Sequence, residues 1–199
     1  MHAHSTVYQL IEIYHNICIA LEEKKHVCMV FCDISKAFDR VWHNGLMVKL
    51  KSYGICGELF TWLENYLFNR QQKVFLNSAY SQLGSNSAGV PQGSILGPLL
   101  FLIYINDIAD VLESSARLFA DDTSLLKSSS SCLEIQTVLN RDLDSLNSWA
   151  KTWLVTFNPD KTEIIFISNS IGIDDDLVLK FDGKDLNFTD HHRHFRGNF

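Results

Sequence analysis

Two apolar runs constrain this chain most, because each meets carboxylates at the point where a buried strand has to end. Residues 27–32 form the first run, and Asp33 closes it. The second lies in the stretch RLFADDTSLL, where Asp121 and Asp122 separate two apolar segments. A short apolar run of this kind is typical of a strand covered on both faces, and a partly buried carboxylate is costly in its charged form. The carboxylates must therefore lie in a solvated turn or share a cation.

Composition limits the classes of protein that the chain can belong to. The sequence has 199 residues, of which 46% are hydrophobic, and this suffices for the core of one domain. The formal net charge of −6 argues against a nucleic-acid binder held by a broad cationic face, so a polyanion would need a local basic patch or a metal ion. The longest apolar run, residues 95–105, is too short to span a bilayer, and we expect no membrane partner.

The cysteines indicate a reducing compartment. Their number is odd, and their spacing fits neither a disulfide framework nor a Cys-x-x-Cys zinc signature. We interpret them as buried thiols of an intracellular protein of the cytoplasm, the nucleus or both. They are Cys18, Cys28, Cys32, Cys56 and Cys132.

Apolar residues that recur at three- and four-residue steps predict five helices. Ser5 or Thr6 is the expected N-cap of the first helix, Gly54 follows the end of the second, and Pro98 suits the first residue of the fourth. The fifth helix has the clearest amphipathic pattern. The predicted helices cover residues 5–21, 44–53, 57–68, 98–112 and 132–153.

The remaining periodic segments predict strands and turns. Residues 73–76 and 81–83 are expected to pair as a polar hairpin that leads into a glycine-rich loop at 84–97, and Asp182-Gly183 is a turn signal. Together these elements predict one α+β domain, an antiparallel sheet with helices packed on one face. Besides the two opening runs and this hairpin, strands are predicted at 162–167, 177–181 and 186–188.

Three converging carboxylates would repel one another unless a cation joined them. Asp33, Asp121 and Asp122 offer hard oxygen ligands, which suit Mg²⁺ or Mn²⁺ better than zinc. Two such ions about 3.5–4 Å apart are the usual device for in-line displacement at phosphorus. We expect the carboxylates of Asp33 and Asp121 to lie within about 6 Å of each other if one ion is to touch both. The alternative is that Asp121-Asp122 is a solvated hairpin turn and Asp33 a helix N-cap.

Three segments, taken in order, resemble the reverse transcriptases of non-LTR retrotransposons, in particular the jockey-like, LINE-type branch. They are FCDISKAFD at residues 31–39, GVPQGSILGPLLF at 89–101 and FADD at 119–122. The similarity extends over about residues 5–194. It implies a polymerase palm in which Asp33, Asp121 and Asp122 hold two catalytic Mg²⁺ or Mn²⁺ ions.

The same resemblance implies contacts with the nucleotide and the template. Phe38 takes the place of the steric gate against a ribose 2′-hydroxyl; the alternative is a core aromatic. Gln92 and Gly93 match the pair that contacts the incoming nucleotide and the template base, and Phe119 opens the motif that carries the aspartates. Asp39 is expected to be structural, paired with Arg40 or with a backbone amide.

A fourth motif matches NPDKT at residues 158–162. By resemblance, Lys161 lies near the triphosphate and protonates the leaving pyrophosphate; the alternative is an exposed lysine in a turn. Residues 191–194 match the start of the family's primer-grip segment, and the match fails after His194. A zinc site at these histidines is disfavoured by their spacing.

The resemblance also sets the expected boundaries and partners. The palm core is expected at about 27–168, with helix 5–21 at the border with the fingers and 177–199 as a truncated primer grip. Fingers, thumb and endonuclease segments are expected elsewhere in a retrotransposon polyprotein. The expected activity is RNA-directed DNA polymerisation, with an RNA template, a DNA primer and deoxynucleoside triphosphates as partners. The alternatives are a catalytically inactive or domesticated interaction domain and, less favoured, another palm enzyme such as a nucleotide cyclase.

Overall fold

The computed structural model describes residues 6–119, 122–168 and 177–189. Its helices are α1 (Thr6–Glu22), α2 (His43–Ser52), α3 (Gly57–Leu67), α4 (Leu96–Ile105) and α5 (Cys132–Thr152), with 3₁₀ turns at Ala37–Asp39, Asn106–Val111 and Pro159–Lys161. The strands are β1 (His26–Asp33), β2 (Gln71–Gln72), β3 (Phe75–Leu76), β4 (Ala79–Tyr80), β5 (Gly84–Ser85), β6 (Ser115–Phe119), β7 (Asp122–Ser129), β8 (Glu163–Ile167), β9 (Lys180–Phe181), β10 (Lys184–Asp185) and β11 (Asn187–Phe188).

A five-stranded sheet with β1 at its centre organises the fold, in the order β11-β8-β1-β7-β6. Strand β1 pairs antiparallel with β7 along its whole length and antiparallel with β8 on its other side. The edge strand β11 runs parallel to β8. The predicted α+β class is confirmed, and the sheet is mixed rather than wholly antiparallel because of this one edge strand.

Two compact units make up the chain, and neither is continuous in sequence. The first contains the five-stranded sheet and comprises Met1–Asp33, Val111–Asn147 and Asn158–Phe199. The second comprises Ile34–Asp110 and Ser148–Phe157, and it contains α2, α3, α4 and the short strands β2 to β5. The chain leaves the first unit directly after Asp33, the residue that ends the central strand.

Side chains from both faces of β1 are buried in the first unit. On one face, α1 packs against the sheet in a cluster that comprises Ile13, Ile17, Ala20, Val27, Met29, Phe31 and Ile165. On the other face, Cys28, Val30 and Cys32 are fully buried as well. The sheet is therefore covered on both faces rather than on one, as a continuous apolar strand requires.

A buried lysine joins three helical segments of the second unit. The Lys49 side chain on α2 is 4% exposed, and its Nζ donates to the carbonyl oxygen of Tyr104 and to Asp107 Oδ1, each at 2.5 Å. The same ammonium lies 3.8 Å from the ring centre of Trp153 and 4.7 Å from that of Trp149. Burial lowers the pKa of Lys49, and the Asp107 carboxylate opposes this effect. Lys49 thus donates to two acceptors that would otherwise lack a hydrogen-bond partner in this partly buried environment.

The strands of the central sheet and four of the five predicted helices are confirmed. The fourth helix, predicted at 98–112, runs from Leu96 to Ile105 and continues as a 3₁₀ turn, and the small strands also differ from the prediction. The hairpin predicted at 73–76 and 81–83 pairs instead as β3 with β4, because Asn77 and Ser78 both adopt positive φ and form a two-residue turn. The strand predicted at 177–181 is reduced to Lys180–Phe181, which pairs with β10 across the predicted Asp182-Gly183 turn. Residues 191–194 lie outside the described ranges. In the described part of the chain, no helix is long and apolar enough to cross a membrane.

All five cysteines are free, and their burial differs from one to the next. Cys28 and Cys32 are buried as predicted, Cys18 and Cys132 are half-buried, and Cys56 is exposed. The prediction of a buried thiol is wrong for Cys56, which is exposed and precedes α3 as its N-cap residue.

Replacing Lys49 by Met should destabilise the chain by about 2 kcal/mol, because Asp107 would lose the cation that compensates for its partial desolvation. Asp107 is one-third exposed and keeps some hydration, so the loss is smaller than for a fully buried pair. Urea unfolding followed by circular dichroism measures the change. Lys51→Met, on the exposed side of the same helix, is the matched control and should cost less than about 0.5 kcal/mol. Equal effects of the two substitutions would contradict this role of Lys49.

The buried thiols should make stability fall at alkaline pH. Burial raises the pKa of Cys28 and of Cys32 from the ordinary 9.0 to about 12. Above pH 9 the unfolded chain releases these protons and the folded chain keeps them, so each thiol's contribution is complete below pH 9 and is lost as the pH approaches 12. Urea midpoints measured from pH 8 to 10.5 should fall less steeply in Cys32→Ala than in the parent chain. Cys56→Ala should leave the slope unchanged.

Candidate active site

Two aspartates face each other across the central strand pair of the first unit. Asp33 ends β1, Asp122 begins β7, and the register pairs them directly. Side chains of directly opposed residues lie on the same face of a sheet, with Cβ atoms about 4.5–5.5 Å apart. The Asp33 side chain is 30% exposed and Asp122 is half-buried. The pairing of β1 with β7 therefore places two aspartates on the same face at one end of the sheet.

Lys161 lies at the same end of the sheet. Its Nζ is 3.6 Å from Asp33 Oδ2, and its side chain is 66% exposed. The 3₁₀ turn that carries it is held by Asn158, whose side chain accepts the N–H of Asp160 and whose own N–H donates to the Asp33 carbonyl. The motif predicted at 158–162 is thus tied to the end of β1 through its backbone.

The third predicted carboxylate, Asp121, lies outside the described residues. It precedes Asp122 in the chain, and Asp122 pairs with Phe119, the last residue of β6. Within the described ranges, no group of three or more His, Cys, Asp or Glu side chains is placed to hold a metal ion. The structure therefore brings together two of the three predicted ligands.

The donor set at this end of the sheet fits a hard divalent cation. Asp33 and Asp122 contribute carboxylate oxygens, and opposed like charges on a sheet destabilise each other unless a cation joins them. One lysine at 3.6 Å with an exposed side chain compensates little of that repulsion. The chemistry of the ligands thus favours Mg²⁺ or Mn²⁺ over a softer metal.

In the second unit, the loop that carries Gln92 and Gly93 lies against the segment that follows β1. The N–H groups of Gly89 and Val90 donate to the carbonyls of Val41 and Phe38, both at 2.8 Å. Gly89 has φ +90°, and a Cβ at this position would lie 2.8 Å from a backbone oxygen of Asp39, so only glycine fits. The backbones of the two motifs are therefore in direct contact.

Asp39 and His43 hold this loop from the other side. Gln92 Nε2 donates to Asp39 Oδ1 at 2.6 Å, and the buried His43 ring bonds the Gly89 carbonyl oxygen through Nε2 at 2.7 Å. Asp39 was expected to pair with Arg40 or a backbone amide; it pairs with Gln92, because the Gly89 turn brings that side chain within reach. Arg40 instead donates to Thr156 Oγ1.

Of the other predicted contact residues, Phe38 and Gly93 belong to the second unit and Phe119 belongs to the first. Phe38 is half-buried, with its ring 4.8 Å from that of Phe101, so it combines core packing with an exposed edge. Gly93 has φ +74° and open space where a Cβ would project. Phe119 is described in its backbone pairing alone.

The residues that the sequence prediction missed are Asp39 as the partner of Gln92 and His43 as the support of Gly89. Their partners lie 53 and 46 residues away. A signal was present: Asp39 is an acceptor beside the motif residue Phe38, and Gln92 carries the matching donor.

A model of the family described as reverse transcriptase (RNA-dependent DNA polymerase) matches residues 1–194. The chain belongs to this family. It is 38% identical over 173 residues to the probable RNA-directed DNA polymerase from transposon BS of Drosophila melanogaster, and 33% identical over 177 residues to the RNA-directed DNA polymerase from mobile element jockey of the same species. It is therefore a reverse transcriptase domain related to those of non-LTR retrotransposons.

These matches cover most of this chain but only a small part of each relative. They cover 80% and 85% of this chain but 18% and 19% of the two relatives, so the chain spans about a fifth of their length. Among solved structures, the fold is similar to apo telomerase from Candida tropicalis truncated from its C-terminal domain, with a TM-score of 0.61 and 15% identity. That similarity covers 90% of this chain and 38% of the telomerase chain.

Replacing Asp39 by Ala should release the Gln92 side chain, because its 2.6 Å acceptor is removed. Asp39→Asn should keep the bond, since an amide oxygen also accepts. The side-chain NH₂ resonances of Gln92 in a ¹⁵N-labelled chain measure this: they should move to values of a free amide in the Ala variant and stay near the parent values in the Asn variant. Unchanged resonances in Asp39→Ala would show that this contact does not orient Gln92.

Proposed function

We propose that this chain carries the nucleotide-adding centre of an RNA-directed DNA polymerase, which extends a DNA primer on an RNA template with deoxynucleoside triphosphates. One observation carries the proposal: β1 and β7 pair in a register that sets Asp33 opposite Asp122. Lys161 at 3.6 Å from Asp33 adds a proton donor at the same edge. Membership in the reverse transcriptase family favours this use of the site over a structural turn.

Asp33, Asp122 and the neighbouring Asp121 would hold two divalent ions. Bound there, Mg²⁺ or Mn²⁺ would supply charge neutralisation at the phosphates and a lower pKa for the primer hydroxyl. The protein's contribution would be the position of the ligands, of which Asp33 and Asp122 lie opposite each other in the register of β1 and β7. Preorganised charge of this kind costs no reorganisation during the reaction.

The primer 3′-hydroxyl releases its proton to water, and its oxygen forms a bond to the α-phosphorus as the bond from that phosphorus to the pyrophosphate oxygen breaks. In this proposal, Lys161 Nζ donates a proton to the leaving pyrophosphate oxygen, and its exposed side chain can reach outward to do so. Phe38 excludes a ribose 2′-hydroxyl. Gln92 contacts the incoming nucleotide through its amide oxygen and the N–H that is not bonded to Asp39. Gly93, which has no side chain, lets the backbone approach the nucleotide closely.

An intracellular location belongs to the same proposal. The cytoplasm or the nucleus would keep thiols reduced, which suits five free cysteines.

A second candidate is a domain that keeps the fold and has lost the chemistry. Metal binding separates it from the first, since a domain without catalysis has no need to retain affinity for a divalent ion.

Mn²⁺ should raise the melting temperature of the chain, because an ion that binds only the folded state stabilises it by about 2.7 kcal/mol at 100 times its dissociation constant. Asp33→Asn and Asp121→Asn should each abolish that rise, whereas the exposed Asp185→Asn should keep it. Without metal, Asp33→Asn should change stability by less than about 1 kcal/mol, since the ion pair with Lys161 that it removes is largely exposed.

Primer extension on an RNA template tests the activity itself, with Phe38→Val expected to increase the incorporation of ribonucleotides relative to deoxynucleotides. If Mn²⁺ leaves the melting temperature of the parent unchanged, the metal site is rejected. If Mn²⁺ stabilises the chain but no primer is extended, the chain by itself is not a polymerase.

A further inference from the structure

Residues 70–86 form a ribbon in the second unit, outside the motifs that define the candidate active site. Its base is the pairing of β2 with β5, and its tip is the pairing of β3 with β4 around Asn77 and Ser78. Every residue of these four strands is exposed. Two-residue strands without a buried face contribute little to folding, so their apolar side chains need another explanation.

The tip of the ribbon presents aromatic rings to solvent. Phe75 is 59% exposed and Tyr80 is 64% exposed, and their ring centres lie 4.7 Å apart across the strand pair. Lys73 Nζ lies 4.1 Å from the centre of the Tyr80 ring. An exposed aromatic pair with a cation beside it offers both a stacking surface for a planar base and a charge for a phosphate.

The base of the ribbon lines a cavity of about 560 Å³, within the usual size range of ligand pockets. Four of the twelve lining residues carry side-chain amides. Each of them can donate and accept, as the edges of nucleobases require. They come from Gln71, Gln72, Asn86 and Gln92. Arg70 adds a guanidinium, and the cavity's one lining carboxylate, Asp39, already accepts from Gln92.

Charge separates this region from the rest of the sequence. The chain carries a formal charge of −6, yet no Asp or Glu occurs between Glu64 and Asp107. The charged residues in that interval are Arg70 and Lys73, both on the ribbon. A carboxylate-free stretch with two cations favours a polyanion there, whereas a neutral apolar partner would need neither cation.

We propose that the 70–86 ribbon and its cavity form a binding site for an unpaired RNA strand. Bases stack on Phe75 and Tyr80, Lys73 and Arg70 contact phosphates, and the amides at the base of the ribbon bond base edges. The choice of RNA rests on the proposed function, since the template supplies such a strand. The site deepens that function by adding contacts with the template beyond Gln92 and Gly93.

Fluorescence anisotropy with a labelled, unstructured RNA 12-mer and the full chain tests the proposal. The double variant Phe75→Ala/Tyr80→Ala should weaken binding about fivefold or more, the effect of losing at least one stacked base. Phe75→Trp/Tyr80→Trp should retain binding, because the larger rings still stack. Lys73→Met should lower the slope of log affinity against log salt by about 0.7, as the loss of one phosphate contact requires.

Tyr14→Ala is the matched control, since Tyr14 is an aromatic of α1 with 70% exposure. It should bind RNA like the parent. The proposal is overturned if Tyr14→Ala loses as much affinity as the ribbon variant, if the Trp variant fails to bind, or if DNA or duplex RNA of the same length competes better than the single RNA strand. It is also overturned if the parent forms a dimer that the Ala variant loses, because the tip would then be a protein contact.

The proposal for the ribbon and the proposal for the metal site can be rejected independently. The ribbon variants should keep stabilisation by Mn²⁺ while they lose RNA binding. RNA binding that depends on the ribbon, without any effect of Mn²⁺, would support the ribbon and reject the proposed function. Stabilisation by Mn²⁺ without RNA binding would reject the ribbon alone.

Discussion

The register between β1 and β7 is the constraint on which the candidate active site depends. It sets Asp33 opposite Asp122, and β1 is buried on both faces, so the pairing cannot shift without exposing apolar side chains. A slip of one residue would move a whole strand's side chains to the opposite face. Two aspartates are thus held on one face of the sheet by the hydrophobic burial of the strands that carry them.

In the second unit too, the residues that stabilise the fold differ from the residues proposed to bind substrates. There, Lys49 connects α2 with α4 and the end of α5 through buried contacts, while the motif residues Gln92 and Gly93 are exposed on a loop. Asp39 and His43 link that loop to the segment after β1. Residues that bind substrates can then be exposed and still be positioned, because neighbouring buried groups fix the backbone that carries them.

The sequence pattern correctly predicted the helices, strands and turns that are specified by their own residues. The apolar run of β1 and the helical steps of α5 each fix one element by themselves, and Asp182-Gly183 fixes a turn. The parallel pairing of β11 with β8 had no such signal, because two residues carry no periodicity. The ribbon's register was missed because Asn77-Ser78, rather than the expected longer loop, makes the turn.

The sequence predicted the residues of the candidate site better than it predicted the residues that hold them in position. Asp33, Asp122 and Lys161 belong to motifs, and the structure brings these three to one end of the sheet. The bond from Gln92 to Asp39 spans 53 residues and follows from the fold of the loop at Gly89, which a linear pattern does not contain. Long-range polar contacts of this kind depend on three-dimensional approach, so the sequence indicated the donor and the acceptor but not their pairing.

The central claim is that the β1–β7 strand end is a divalent metal site, and paramagnetic broadening by Mn²⁺ tests it most directly. Substoichiometric Mn²⁺ added to ¹⁵N-labelled chain broadens amide resonances steeply with proximity. The two strands share one register, so their far end at His26 and Ser129 lies roughly 24 Å from Asp33 and Asp122, at about 3.4 Å per residue. The account predicts that amides of Cys32, Asp33, Asp122 and Thr123 disappear first while those of His26 and Ser129 stay sharp. Equal broadening at both ends, or broadening centred on another acidic cluster, would contradict it.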